Sequence, residues 1–293
     1  MLSNIPLLIL NGVFYASTLF LVASGLTLIF SVAGILNIAH GALYMFGAFV
    51  GAYIIKTLGA SHSYILAFPV AATVVGCMGV AIERFFIKWI YGRPHFYQLL
   101  LTFGLALVIG DLTRMIFGSQ PISAAKPFMR AGSITILGTP YPTYNFIVIA
   151  VTLGVAFSLW YMLYKTRIGK VIRACALERE MAEALGINTN RVFALTFFIG
   201  TALAGLSGAL IVPPTVAMLG MDADALVLSF IVIIIGGVGS LKGALIGSLI
   251  VGIIRAFGIV LFPQIELAIV YLIMIAVLLV RPKGLFGREV RVA

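Results

Sequence analysis

The residues that could do chemistry are few and scattered. The three histidines, His40, His62 and His95, stand far apart in sequence, and no His-Glu-x-x-His pattern occurs. Cys77 lies in an apolar segment and Cys175 in a charged one; they have no metal-ligand spacing, and no disulfide is expected. Gly169-Lys170 is followed by Val171 and lacks the leading glycine of a P-loop, so the chain is not expected to hydrolyse nucleotide itself. No catalytic residue, metal or cofactor is expected. What remains are ionisable groups in or beside apolar stretches: Glu83, Arg84, Asp111, Arg114 and Arg255. Such groups are costly in hydrocarbon and face a bundle interior or water. Asp111 and Arg114, at i and i+3, can pair on one helix face. Glu83 and Arg84 sit at a helix end from which they can snorkel. Arg255 has no acid nearby in sequence, and Glu266 is its expected contact. No mid-span carboxylate of the kind a proton-coupled carrier uses stands out.

The elements that must position these residues follow from composition. The chain has 293 residues, 62% hydrophobic and 10% charged, against roughly 25% charged in a soluble domain. That excludes a soluble enzyme, a disordered chain and a fibrous repeat. Apolar segments fall at 5–30, 41–58, 64–87, 97–117, 145–164, 192–212, 225–239, 243–262 and 266–280, divided by polar or Gly/Pro punctuation. A spanning helix needs about 20 residues, so eight or nine spans are expected, in one transmembrane unit over 1–293. The segment 225–239 is short and ends in Gly236-Gly237-Val238-Gly239-Ser240, the mark of a break within the bilayer. Residues 1–30 contain no Lys or Arg and read as a retained first span, not a cleaved signal.

Net charge is +10, from 19 Lys and Arg against 9 Asp and Glu. In a membrane protein this is orientation bias, not nucleic-acid affinity. Arg84, Lys88 and Arg93 fall in one connection, and Lys165, Arg167, Lys170, Arg173, Arg179 and Arg191 in another. Lys242, Arg281, Lys283, Arg288 and Arg291 follow on the same side. Only Lys56, Lys126 and Arg130 lie opposite. The rich side is cytoplasmic by the positive-inside rule, which puts the C-terminus inside. Residues 118–144 form the longest outer loop; Pro121, Pro127, Pro140 and Pro142 argue against a long helix there. Within 165–191, Val171, Ala174, Cys175, Met181, Ala182 and Leu185 follow helical spacing along one face. Gly186 suits a helix C′ position, and Asn188 or Asn190 can cap the next helix. One or two short helices beneath the membrane are expected.

Gly239, Gly243 and Gly247 recur at i+4, as do Gly47 and Gly51, which predicts faces for close helix packing. The same glycines are also compatible with a discontinuous helix lining a substrate path. His40-Gly41-Ala42-Leu43 and Lys242-Gly243-Ala244-Leu245 form a faint internal echo.

Four ordered stretches carry a family resemblance. Gly25-Leu26-Thr27-Leu28-Ile29-Phe30, Asn37-Ile38-Ala39-His40-Gly41 and Met45-Phe46-Gly47-Ala48 resemble the N-x-A-H-G…M-x-G-A signature of branched-chain amino acid ABC transporter permeases, the LivH/LivM kind. Residues 173–187 are similar to that family's cytoplasmic coupling loop. Gly236-Gly237-Val238-Gly239-Ser240 with Gly243-Ala244 resembles its GGxGSxxGA motif, and Arg281-Pro282-Lys283-Gly284-Leu285-Phe286-Gly287 its terminal RPxGLFG. Length and compact loops favour the LivH-like member. The resemblance implies an all-α, polytopic helix bundle of the ABC importer permease type in a bacterial inner membrane. Its implied partners are a LivM-like second permease, two cytoplasmic ATPase subunits and a periplasmic substrate-binding protein. Coupling is then expected at Arg173, Ala174, Ala176, Glu180, Met181, Ala182, Leu185 and Gly186. The translocation path is expected at Asn37, His40, Gly41, Gly236, Gly237, Gly239, Ser240 and Arg255. The family pattern has an acid near position 255, from which Arg255 departs, so branched-chain amino acids, other amino acids and amides all stay open as cargo. The alternative is a self-sufficient secondary carrier or channel, which needs no docking helix at 165–191.

Overall fold

A computed structural model describes residues 5–59, 63–136 and 138–287. The elements run α1 (Ile5–Ala33), α2 (Ala39–Leu58), α3 (Ser63–Phe85), a 3-10 turn (Ile87–Ile90), α4 (His95–Phe117) and α5 (Lys126–Arg130). A hairpin of β1 (Ser133–Ile136) and β2 (Thr139–Pro142) leads to α6 (Thr143–Lys165), α7 (Arg167–Leu177) and α8 (Arg179–Ala184). The chain then forms α9 (Thr189–Ile211), α10 (Met221–Gly236), α11 (Leu241–Leu261) and α12 (Glu266–Val280). Each apolar segment of the sequence becomes one helix. Among the described residues, seven helices are long and apolar enough to cross a membrane: α1, α2, α3, α4, α6, α9 and α11. α10 and α12 are shorter, with 16 and 15 residues. At 1.5 Å per residue neither matches the ~30 Å hydrocarbon core. The proline-bearing segment between α4 and α6 holds the short α5 and a two-stranded antiparallel ladder pairing Ser133 with Pro142, which no helical expectation foresaw.

The core is built on α1 and α9, which run antiparallel. Gly25 meets Gly200 backbone to backbone, and the Ser207 hydroxyl donates to the Thr18 carbonyl at 2.8 Å. α9 also lies against α3 and α2, and α1 against α11 and α10. α2 packs on α3 and α4; α10 packs on α11 and α12. The pattern maps α1-α2-α3-α4 onto α9-α10-α11-α12. Because α1 and α9 are antiparallel, the two units have opposite orientation, an inverted repeat. The repeat pairs α2 with α10. The echo between residues 40–43 and 242–245 pairs α2 with α11, so it is not the trace of this symmetry.

Small residues permit these contacts. Gly47 packs on Gly205 and Gly51 on Ala209, as the i+4 spacing predicts. Gly243 and Gly247 lie on α11 against Gly236 and the Val232 carbonyl of α10. Gly239 does not share that face. It precedes the helix with φ +81°, because Ser240 caps α11 by accepting from the Gly243 N–H at 3.0 Å.

Candidate translocation site and coupling segment

The first break separates α1 from α2. Gly34 turns at φ +67°, and residues 34–37 are not helical although Ile35 and Asn37 are fully buried. Such backbone at membrane depth is tolerated only under cover of protein or beside water. His40, also fully buried, places Nε2 3.1 Å from the Val22 carbonyl. A carbonyl only accepts, so Nε2 carries the proton and Nδ1 is left as a bare acceptor. Among the described residues Nδ1 has no partner, and neither does the Thr27 hydroxyl nor either polar atom of the Asn37 amide. An unpaired buried polar group costs about 1–3 kcal/mol. Three such atoms belong to Asn37 and His40 at the break and the fourth to Thr27, six residues before the end of α1, a cost that packing alone does not explain.

The second break separates α10 from α11. Gly236 ends α10, and Gly237 follows at φ +98°. The chain end folds back over it: the Leu285 and Phe286 N–H groups donate to the Ile235 and Gly236 carbonyls, each at 2.9 Å. These are carbonyls that the end of a helix leaves free. Ser31, in the last turn of α1, reaches the Gly239 carbonyl at 3.4 Å. At its other end α10 rests on Gly41, where the Asp222 carbonyl and Leu226 leave no room for a β-carbon. α10 therefore bridges the starts of α2 and α11.

Gly41, Gly236, Gly237, Gly239 and Ser240 thus lie along α10 and its ends, with Asn37 and His40 beside Gly41 on the α1–α2 connection. Arg255 does not join them. It lies 12 residues, or ~18 Å, along α11 from Gly243. Its Nε is 3.9 Å from the Glu266 carboxylate, the expected contact, and its guanidinium lies over the Tyr15 ring at 5.5 Å. Asp111 and Arg114 form no ion pair among the described residues; both side chains are exposed on α4. Glu83 does not snorkel. It is buried and accepts from the Tyr91 hydroxyl at 3.1 Å, while Arg84 is exposed. Burial and this neighbouring carboxylate push the Tyr91 phenol above its ordinary range. His95 is exposed, His62 lies outside the described residues, and Cys77 and Cys175 are free thiols.

Residues 165–191 fold as α7 and α8, two short helices as expected. Thr166 caps α7 by accepting from the Gly169 N–H at 3.2 Å, and Asn188 caps α9 by accepting from Arg191 N–H at 3.1 Å. Gly186 closes α8 at φ +81°. Ile172, Cys175 and Ala182 face inward and pack with Leu28 and Val32 of α1, Leu163 of α6, and Val192 and Phe193 of α9. The Thr189 hydroxyl reaches the Glu183 carboxylate at 2.6 Å and Arg179 reaches it at 2.9 Å. These bonds, that from Thr189 foremost, hold the Glu183 carboxyl below the usual carboxylate range. The Arg179 guanidinium also stacks on Phe193 at 5.0 Å.

The opposite face is open: Leu177 is 79% exposed, Met181 57% and Leu185 74%, with Ala176, Glu180 and Gly186 exposed beside them. Arg173 and Ala174 are half-buried. Ala182, grouped by periodicity with the outward residues, is only 2% exposed and faces the bundle. Sequence reasoning missed Leu177, because the extended Glu178 breaks the helix between it and Met181 and helical spacing does not carry across.

A many-pass bundle with two glycine-marked helix breaks, buried polar atoms at one of them and an apolar helix pair left open on one side has the makings of a membrane permease. The family described as branched-chain amino acid transport system, permease component, matches residues 8–278. The chain belongs to that family. It is 32% identical to the high-affinity branched-chain amino acid transport system permease protein LivH of Salmonella typhimurium, over 95% of this chain and 94% of that one. It is 31% identical to BraD of Pseudomonas aeruginosa, which carries the same description, over 96% and 95%. The ribose import permease protein RbsC of Escherichia coli is 26% identical over 80% and 72%.

Proposed function

We propose that the chain is the membrane-spanning subunit of a binding-protein-dependent ABC importer for branched-chain amino acids or a related small amino acid or amide. It works with a LivM-like second permease, two ATPase subunits that dock on α7 and α8, and an extracytoplasmic binding protein. It lies in a bacterial inner membrane with its C-terminus cytoplasmic. The names of LivH and BraD support the cargo class. The observation that carries the reading is the two-faced α7–α8 pair. Its inner face grips the last turns of α1 and the first turn of α9, and its outer face offers Leu177, Met181 and Leu185. A push on the outer face reaches α1 through Leu28 and Val32, immediately before the break that holds Asn37. Closure of the ATPase pair on ATP would thus move the path by way of α1 and α9.

Vesicles carrying the full complex test this. Leucine uptake is expected only with ATP inside reach of the ATPases and with the binding protein present; uptake by the permeases alone would establish the secondary-carrier reading instead. In the same assay Asn37→Leu is expected to lower uptake about tenfold while leaving thermal stability unchanged or slightly higher, because an unpaired buried amide is removed. A loss of stability would mean that the amide is structural.

Orientation has its own test. Cys175 is buried and burial raises its thiol pKa, so it is a poor reporter. With Cys77 and Cys175 replaced by alanine, cysteine at Gln120 is expected to react with an impermeant maleimide on intact spheroplasts. Cysteine at Glu180 is expected to react only after permeabilisation. The reverse pattern would invert the topology.

A further inference from the structure

The end of α3 and the start of α9 enclose an open cavity of about 270 Å³ lined by Glu83, Arg84, Lys88, Asn188, Asn190 and Arg191. It lies on the side of the bundle that carries α7 and α8. Three cations and two amides there face one carboxylate, and that carboxylate is buried and already bonded to Tyr91. Arg84, Lys88 and Arg191 are exposed and form no ion pair among the described residues. Glu83 offsets only part of that charge, so three cations around one buried carboxylate leave the hollow net positive and suited to an anion.

A second observation says where the anion comes from. Phe85, Phe86 and Trp89, next to the cavity lining in sequence, are all strongly exposed, Trp89 by 74%. Tryptophan collects at the membrane–water boundary, with its ring among the acyl chains and its N–H toward the headgroups. Basic pockets between spanning helices at that depth take phosphate headgroups. We propose that this cavity is a binding site for the phosphate headgroup of an anionic phospholipid. Arg84, Lys88, Asn190 and Arg191 contact the phosphate, and the acyl chains lie over Phe85, Phe86 and Trp89. The lipid ties the end of α3 to the start of α9, the helix to which α8 is fastened through Thr189. An acidic loop of a protein partner would satisfy the cations but would leave the three aromatic side chains without apolar cover.

The test uses the whole complex, purified in detergent and re-lipidated with phosphatidylcholine containing cardiolipin or phosphatidylglycerol, with retained lipid counted by native mass spectrometry. Arg84→Gln/Lys88→Gln/Arg191→Gln is expected to lower retention of both anionic lipids at least tenfold. Lys88→Arg, and Lys170→Gln on the exposed side of α7, are expected to leave it unchanged. Inorganic phosphate is expected not to displace the lipid. Equal retention by the triple variant overturns the site. So does displacement by inorganic phosphate, which would make it a free-anion site, or loss of the ATPase subunits with lipid retained, which would make it a protein contact. Should the triple variant not fold, Arg191→Gln against Lys170→Gln decides on the same readout, with a several-fold difference expected.

Discussion

Replacing Met181 and Leu185 together by glutamate is expected to strip the ATPase subunits from the protein and abolish ATP-driven uptake, while the chain still inserts and folds. Both side chains are largely exposed on α8 and its C-cap, and neither joins the apolar cluster beneath it. Among the described residues, neither side chain is part of a hydrophobic cluster. At an interface, each buried apolar side chain contributes about 1.5–3 kcal/mol, and a carboxylate forced into the same place adds a desolvation penalty. Two such changes weaken association by about 5 kcal/mol or more, over three orders of magnitude in Kd. Ala182→Glu is the contrasting variant. It drives a charge under α8 against Leu28, Val32 and Phe193, so it should loosen the helix pair itself and raise amide exchange across 179–185. Co-purification of a tagged ATPase, uptake in vesicles and hydrogen exchange separate the two outcomes. Undiminished ATPase binding by the double glutamate variant would remove α8 as the coupling element and return the secondary-carrier reading to favour.

Much of this architecture was legible in the sequence wherever the governing physics is local. Run length and Gly/Pro punctuation located every long helix to within a few residues. The caps at Gly186 and Asn188 followed from backbone conformation and orphan donors alone. The apolar run begins at 225 but α10 begins at Met221, because Asp222 and Asp224 lie outside the apolar pattern yet are favoured in the first turn of a helix, where they sit. Other features were hidden because they join distant parts of the chain. Periodicity grouped Ala182 with Met181 and Leu185, yet only the positions of α1 and α9 decide which side of α8 is covered. Regular spacing put Gly239 in register with Gly243, whereas a serine immediately before an apolar run is itself a helix-start signal. The clasp of Leu285 and Phe286 on the end of α10, and the bond from Tyr91 to Glu83, had no trace in pattern or composition. The Asn37 amide is the instructive case: its motif marks the position, but only the fold shows that both its polar atoms are buried without a partner among the described residues.

Gly243→Leu is expected to eliminate uptake, and Gly239→Leu to leave a measurable part of it. A β-carbon at Gly243 would land on the Gly236 carbonyl, a backbone atom that cannot rotate aside as a side chain can. That carbonyl is held by the Phe286 N–H and its neighbour at Ile235 by the Leu285 N–H, so α10 cannot back away without releasing the clasp. Overpacking a well-filled contact costs about 1–3 kcal/mol when side chains can adjust, and here whole helices must separate. The displacement also travels, because the far end of α10 rests on Gly41, next to His40 at the first break. Gly239 poses a different constraint. Its left-handed conformation costs a non-glycine residue about 1–2 kcal/mol, but among the described residues the one atom within 4 Å of an added β-carbon is the Ser31 hydroxyl at 3.4 Å, an ordinary contact. Gly243→Ala should fall between the two. Uptake in vesicles, normalised to inserted protein, with thermal stability measured in parallel, gives the order directly. If Gly239→Leu proves the more damaging, the break depends on backbone conformation at the turn and not on the approach of α10 to α11.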